Sequence, residues 1–515
     1  MSGRKNNVIK NILAKWISTV IITVLQLIAR KIFIEYYSND LMGLSGLLQS
    51  VISMLSLLEL GVGSAIYFSL YDPLAKREEL KIAAIMRLYK KIYTGIGFAV
   101  LGAGLCVLPF LNFFIDTELE IHTVKIAYII LLTDTGMSYF MAYRRNVFNA
   151  DQKEYICTNI DTITSFCATL TQIALTIMTG NYYLYIGSKV IWTLGANLFI
   201  YFYVGNRYPY IKQKTDFVLS KEFIAKFKGN VKALCVANIA TYLVFGTDNL
   251  LISKYVSLGS VFIYSNYNTI ISMVNKLFHN IFGSAQASVG NYMVTESKEN
   301  TFELFKNMFF MNYLVTCFTS VSLLVVFNSF IEIWLGKGYI LSLGIVAILV
   351  FNNYARHILQ TSSVFRNAAG IYDPYRFYKY WGLVEGTVNL ISSLILIHVL
   401  VGQELLGIFL GTSISTVITS IVGPHALFKY YFGIEKSKTY IRDYWIYLLL
   451  TVGYAVISIA ICNLLFVANA WLNMIIALGI ALIIPNASNA YLFRNSSSML
   501  YFKNVLKRYI HKKQK

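Results

Sequence analysis

A small set of ionisable side chains interrupts otherwise apolar stretches of this sequence, and these are the residues best able to do chemistry there. The cations are Arg30, Lys31, Lys189, Lys276 and Arg356, and the carboxylates are Glu59, Asp134, Asp161, Asp248 and Glu385. His279 and His357 complete the set. A charge inside an apolar helix is costly, so it faces a cavity or a partner. Lys and Arg held where water is scarce form their strongest hydrogen bonds with anionic groups. The carboxylates and histidines could take up and release H+ or Na+, or simply close ion pairs with those cations. Arg30, Lys31, Asp161 and Glu385 lie near the ends of their stretches and could snorkel to the headgroups. Glu59, Asp134, Lys276 and Arg356 lie deeper. The two histidines could equally be neutral hydrogen-bonding residues.

The elements that must position these residues are membrane-spanning helices. The chain has 515 residues, of which 57% are hydrophobic and only 13% charged. A water-soluble domain carries about 25% charged residues. Fourteen apolar runs follow one another, from 11–34 and 41–70 through 233–256 and 342–364 to 471–493. Each is long enough to cross a bilayer, which takes about 20 residues. Only 6 prolines interrupt them, and helices satisfy their own backbone groups in lipid. The reading is an all-α polytopic membrane protein with about 14 transmembrane helices. The N-terminal basic residues precede a long apolar run without a cleavage site, so the first run is read as an uncleaved span.

The gaps between runs alternate in charge. Lys76 to Lys91, Arg207 to Lys228, and Lys429 to Arg442 are rich in Lys and Arg, as are the N-terminus and the tail from Arg494. The intervening gaps are short and nearly free of them; Asp116 to His122 is acidic, and Lys337 is the main basic exception. By the positive-inside rule both termini are cytoplasmic. Arg30 and Lys31 then fall at the external end of the first span, where cations are scarce. The net charge of +19 is read as topology and attraction to anionic headgroups, not as nucleic-acid binding. Two basic stretches look like interfacial helices: one carries Leu80, Ile82, Ile85, Met86 and Leu88, and the other is a tail helix capped by Ser498.

A faint repeat relates two halves. Val51-Ile-Ser-Met54 and Gly63-Ser-Ala65 recur as Ile270-Ile-Ser-Met273 and Gly283-Ser-Ala285, and Ile34-Glu-Tyr-Tyr37 lies against Ile252-Ser-Lys-Tyr255. The offset is about 218 to 220 residues, or six spans, so the halves are parallel, as in some transporters. The expected division is a six-helix lobe with its linker over 1–228, a second over 229–430, and two further helices with a basic tail over 431–515. The offset places Asp248 opposite Arg30, the Lys276 and His279 neighbourhood opposite Glu59, and Arg356 roughly opposite Asp134. Such pairs could meet across a central cleft and break as the halves rock.

Nothing in the sequence has the spacing of a catalytic or metal centre. There is no Walker A loop, HExxH, GxSxG or dinucleotide turn. The six cysteines, Cys106, Cys157, Cys167, Cys235, Cys317 and Cys462, form no CxxC and have no His partner at metal spacing. Neither an enzyme nor a resident cofactor is expected, and any driving energy would come from an ion gradient or from consumption of the product.

Several segments resemble the oligosaccharide flippases of bacterial polysaccharide biosynthesis. These form the Wzx-type branch of the MOP superfamily, which also holds the MATE exporters and the lipid II flippases. The segments are Glu59-Leu-Gly-Val-Gly-Ser-Ala-Ile-Tyr67 with Leu70-Tyr-Asp-Pro-Leu74, Gly246-Thr-Asp-Asn-Leu-Leu-Ile-Ser253, Tyr264-Ser-Asn-Tyr267, and Ala287-Ser-Val-Gly-Asn291. The resemblance implies two six-helix lobes around a central cavity with two extra C-terminal helices, and alternating access in the bacterial plasma membrane. It implies an undecaprenyl-pyrophosphate-linked sugar repeat as cargo, for capsule, exopolysaccharide or the O-antigen of lipopolysaccharide. Membrane lipids would be partners, and so could a polysaccharide polymerase and glycosyltransferases, but not nucleic acid. Arg30, Lys31, Lys189, Lys276 and Arg356 are then the candidates for binding pyrophosphate. Glu59, Asp134, Asp248, His279, His357 and Glu385 are the candidates for coupling or gating.

Two rival classes make different demands. An ion-coupled exporter of cationic small molecules would favour an acidic cavity with few cations. A membrane polymerase or glycosyltransferase would need a sizeable loop carrying catalytic groups, and the external gaps here are short.

Overall fold

The structure is a computed structural model, and it describes residues 2–59, 62–114, 119–213, 217–369 and 376–512. Leu60 and Gly61 of the Glu59–Tyr67 segment, and residues 116–118 of the acidic gap, lie outside the described residues. The described regular structure is helical throughout. The helices are α1 (Ser2–Tyr36), α2 (Asn39–Leu55), α3 (Val62–Lys76), α4 (Glu79–Val107), α5 (Leu111–Phe114), α6 (Ile121–Ala142) and α7 (Arg145–Ala150). They continue with α8 (Glu154–Thr179), α9 (Tyr182–Arg207), α10 (Lys221–Phe245), α11 (Asp248–Tyr255), α12 (Leu258–Thr295) and α13 (Lys298–Leu335). The last are α14 (Leu343–Ile358), α15 (Gln360–Ala368), α16 (Arg376–Val399), α17 (Glu404–Leu427), α18 (Ser437–Leu464), α19 (Ala470–Leu492) and α20 (Ser497–Lys512).

Among the described residues, nine helices are long and apolar enough to cross a membrane. The other five expected runs are also helical. Three are whole (α6, α9 and α12) but carry more polar residues, including Asp134, Lys189 and Lys276. Two are broken pairs, α2–α3 and α14–α15, and the run over 233–256 is broken as well, into α10 and α11. Large apolar side chains such as Phe98, Ile191, Leu449 and Ile483 stand exposed on these helices, as suits a protein whose solvent is lipid. The chain is a multi-pass membrane protein.

The expected interfacial helix at Leu80–Leu88 is not separate. It forms the first turns of α4, and it buries Ile82, Ile85 and Met86 while Leu80 stays exposed. The tail helix α20 is present, but its cap is Ser496, whose Oγ accepts from the Met499 amide at 3.2 Å. Ser498 lies inside the helix.

The chain divides into two compact units, one of residues 1–269 with Gly382–Gly386 and the other of the remainder. In the first unit α1 lies along α8. Asn11 on α1 accepts from the Tyr155 amide at 2.7 Å and donates to the Gln152 carbonyl at 3.1 Å. It thereby supplies the N-terminal cap that α8 lacks from its own residues. Lys15 and Glu154 add an ion pair at 2.9 Å. In the second unit α18 and α19 pack on α13 through an aromatic core. Tyr313 and Tyr447 stack with centroids 4.1 Å apart, and the buried Asn489 accepts from both Tyr313 (2.8 Å) and Tyr454 (3.1 Å).

Candidate functional site

The first unit encloses a cavity of about 480 Å³ between α1, α2, α8, α9 and the start of α12. Each helix contributes one stripe at helical spacing. Gln26, Arg30 and Phe33 lie on one face of α1, and Tyr185, Lys189 and Thr193 on one face of α9. Ser45, Gln49, Gln172 and Ser265 add neutral polar groups. Among the described residues, the lining includes two cations, Arg30 and Lys189, and no carboxylate.

Arg30 is held, not loose. Its guanidinium donates to Ser265 Oγ at 3.0 Å and to Asn266 Oδ1, both on α12, and it stands over the Phe262 ring at 5.8 Å. Phe33, Tyr37, Tyr182 and Tyr185 pack together beside it, with Phe33 and Tyr185 edge to face at 4.6 Å. Gln172 is fixed by donating to the Tyr185 carbonyl at 3.1 Å.

The position of α12 depends on Gly43. A Cβ there would overlap the Leu258 carbonyl group, with its carbon at 2.6 Å, so only glycine lets α2 approach the first turn of α12 this closely. Two turns further on, Tyr264, Ser265 and Asn266 carry the polar contacts. Tyr264 donates to Asp248 Oδ2 at 3.4 Å, and Ser265 and Asn266 take Arg30. The two charges that the repeat sets opposite each other, Arg30 and Asp248, thus both engage the Tyr264-Ser-Asn-Tyr267 segment.

Charges also coincide with the broken helices. Glu59 ends a 3₁₀ turn, Ser56–Glu59, that follows α2, and it accepts from Tyr93 at 2.6 Å. Asp248 opens α11 just after the break at Gly246 and Thr247, and it is buried. Its carboxylate lies in the first turn, where free amides favour negative charge. Arg356 and His357 end α14. There the carbonyls of His357 and Ile358 are taken by Asn312 at 2.9 and 3.1 Å. Unwound helices carrying charges are common at transporter binding and coupling sites. The repeat is not symmetric in this respect: α12, the partner of the broken α2–α3 run, is continuous, and α1, the partner of α10–α11, is continuous too.

The remaining candidates are dispersed. Lys31 is exposed and does not line the cavity. Asp134 lies on α6 within reach of the Lys189 charge. Asp161 forms an ion pair with Arg145. Glu385 sits between Gly382 and Gly386, the segment of α16 that packs on Ala240 and Leu243 of α10. In the second unit Arg356 donates to Thr416 at 3.1 Å. His357 is buried, bonded through Nε2 to Asn275 at 2.7 Å and packed on Phe278. Lys276 and His279 are exposed on α12.

Sequence reasoning missed Asn266, Ser265 and the glutamines Gln26, Gln49 and Gln172. The available signal was a polar stripe at helical spacing within an apolar run, such as Gln26 one turn before Arg30. A scan for charges alone passes over it.

No protein-family model and no curated protein sequence matches the chain. Solved structures do. A lipid II flippase, MurJ, in an inward closed conformation matches with a TM-score of 0.67 at 16% identity, covering 94% of this chain and 99% of the other. An inward-facing multidrug resistance MATE family transporter of the MOP superfamily matches with a TM-score of 0.61 at 11% identity, covering 80% and 96%. A Vibrio cholerae MATE transporter matches with a TM-score of 0.58 at 12% identity, covering 83% and 97%. The chain is therefore an all-helical, multi-pass membrane protein with the fold of these MOP-superfamily transporters.

Proposed function

We propose that the chain is a flippase that carries an undecaprenyl-pyrophosphate-linked oligosaccharide from the inner to the outer leaflet of a bacterial plasma membrane, by alternating access, for extracellular polysaccharide synthesis. The observation that carries this reading is the cavity of the first unit, which presents Arg30 and Lys189 and no carboxylate among its described lining residues. Such a pair attracts a multiply charged anion. The amides of Gln26, Gln49 and Gln172 offer donors and acceptors to sugar hydroxyls. Tyr185 offers a ring face. The lipid tail needs no place in the cavity, because the bilayer solvates it.

The same observation disfavours export of cationic compounds, which two exposed or half-buried cations would repel. Coverage points the same way: the flippase neighbour extends over 94% of the chain, the MATE neighbours over 80% and 83%. In this reading Glu59 and Asp248, at the helix breaks, respond to a driving ion or to the charge of the cargo. Glycosyltransferases act on the cargo before it crosses, and a polymerase after. The protein itself catalyses no bond change.

Deletion followed by lipid extraction tests this. Lipid-linked repeats should accumulate and remain inaccessible to reagents added outside the cell. Repeats that still reach the outer face in the deletion strain would refute the flippase reading, and repeats that never form would favour an enzyme.

A further inference from the structure

A second, separate pocket of about 240 Å³ lies in the first unit where α4, the α6–α7 junction and the turn after α9 meet. Among the described residues its lining carries four cations, Arg87, Lys90, Arg144 and Lys212, and no carboxylate. Arg144 is 7% exposed. Its guanidinium donates to Tyr143 Oη at 3.2 Å and to the Tyr201 carbonyl at 2.8 Å, and it stacks 3.5 Å over the Tyr201 ring. Lys212 is drawn to the same spot, donating to Asn206 at 3.1 Å.

Gly205 makes this crowding possible. A Cβ on Gly205 would collide with Arg144 Nη1 and stand 2.6 Å from Lys212 Cε and 3.3 Å from its Nζ. Two like charges are therefore held side by side over a glycine notch, with Arg87 and Lys90 across the pocket. Four cations facing one pocket attract an anion.

The depth of the pocket says where that anion would be. Lys90 stands two residues before the apolar run of α4 begins at Ile92, Arg144 just past the run of α6, and Lys212 a few residues past that of α9. All three lie at the Lys/Arg-rich end of their helices, at the level of the headgroups. Basic pockets between helices at this level suit phosphate-bearing headgroups.

We propose that this pocket binds a phosphate group, held by Arg144 and Lys212 at the notch and by Arg87 and Lys90 opposite. The phosphate belongs to an anionic phospholipid or to a soluble phosphate. The inference does not depend on what the Arg30 cavity carries.

The test uses the full chain in detergent, titrated separately with phosphatidylglycerol and with inorganic pyrophosphate, with bound ligand read by native mass spectrometry. Three proteins are compared with the parent. The first is the pocket variant Arg87→Gln/Lys90→Gln. The second is Gly205→Ala, which forces Arg144 and Lys212 aside. The third is the control Lys81→Gln/Lys91→Gln, which removes two charges from the same helix outside the pocket. Both pocket variants should bind at least about tenfold more weakly, and the control within about twofold of the parent. Loss confined to phosphatidylglycerol identifies a lipid, and loss confined to pyrophosphate a soluble phosphate. Equal loss in the control would reduce the pocket to general surface charge and overturn the proposal. So would undiminished binding of both ligands in the pocket variants.

Discussion

Arg30 on α1 donates to the side-chain oxygen of Asn266 on α12, and this contact, with the one to Ser265, orients the guanidinium in the cavity of the first unit. Asn266 is fully buried, so its replacement reaches Arg30 without touching any ligand. Asn266→Ala should leave the protein folded and lower transport by roughly tenfold, the scale of one hydrogen bond to a charged group. Arg30→Lys should do no better, because an ammonium on a flexible stem cannot hold Ser265, Asn266 and an anion in one plane. A transport assay in cells expressing equal amounts of each variant would check both. Normal transport by Arg30→Lys would mean that charge alone matters there.

Gly43 carries a backbone constraint rather than a chemical one. Gly43→Ala should cost about 1–3 kcal/mol, because the methyl group must push the start of α12 away from α2. Gly453→Ala is the matched comparison, since nothing lies within 4 Å of a Cβ there. It should be neutral or stabilise α18 by up to about 1 kcal/mol. Apparent melting temperatures in detergent would order the two variants.

Asn489 ties α19 to α13 and α18 by accepting two tyrosine hydroxyls. Asn489→Leu strands both, and should cost about 2–5 kcal/mol in total. Tyr454→Phe removes one donor and leaves Asn489 still bonded to Tyr313, at about 1 kcal/mol. Thermal unfolding of the purified variants, with ligand absent, would separate the two.

Asn11 caps α8 from another helix. Asn11→Ala should cost about 0.5–2 kcal/mol, the range for losing an N-cap, and Asn11→Asp should recover most of it through the Tyr155 amide. Protease sensitivity of the 150–156 segment, compared across the three proteins, would reveal the fraying.

The helical architecture was legible because apolar runs and basic gaps follow directly from the chemistry of the bilayer. Each expected run is helical, including those interrupted by charges. The breaks in the runs over 41–70, 233–256 and 342–364 were not legible, since hydropathy does not change where a helix unwinds. Two of the breaks carry tertiary contacts that sequence alone does not show: Tyr93 meets Glu59, and Asn312 caps the carbonyls of His357 and Ile358. Arg30 and Lys189 could be named as charges in apolar runs, but their meeting in one cavity depends on five helices packing together. Asn266 stood in a segment noted for its resemblance, yet a neutral amide in a polar tripeptide gives no sign that it holds an arginine two hundred residues away.

Reconstituted translocation tests the central claim most directly. Purified protein in vesicles would be loaded with a fluorescent polyprenyl-pyrophosphate oligosaccharide, and the labelled headgroup reaching the opposite leaflet would be followed by a membrane-impermeant quencher. The account predicts rapid equilibration with the parent protein and a rate close to that of empty vesicles with Arg30→Ala/Lys189→Ala. Equal rates for the parent and the double variant, or no translocation by the parent, would contradict it.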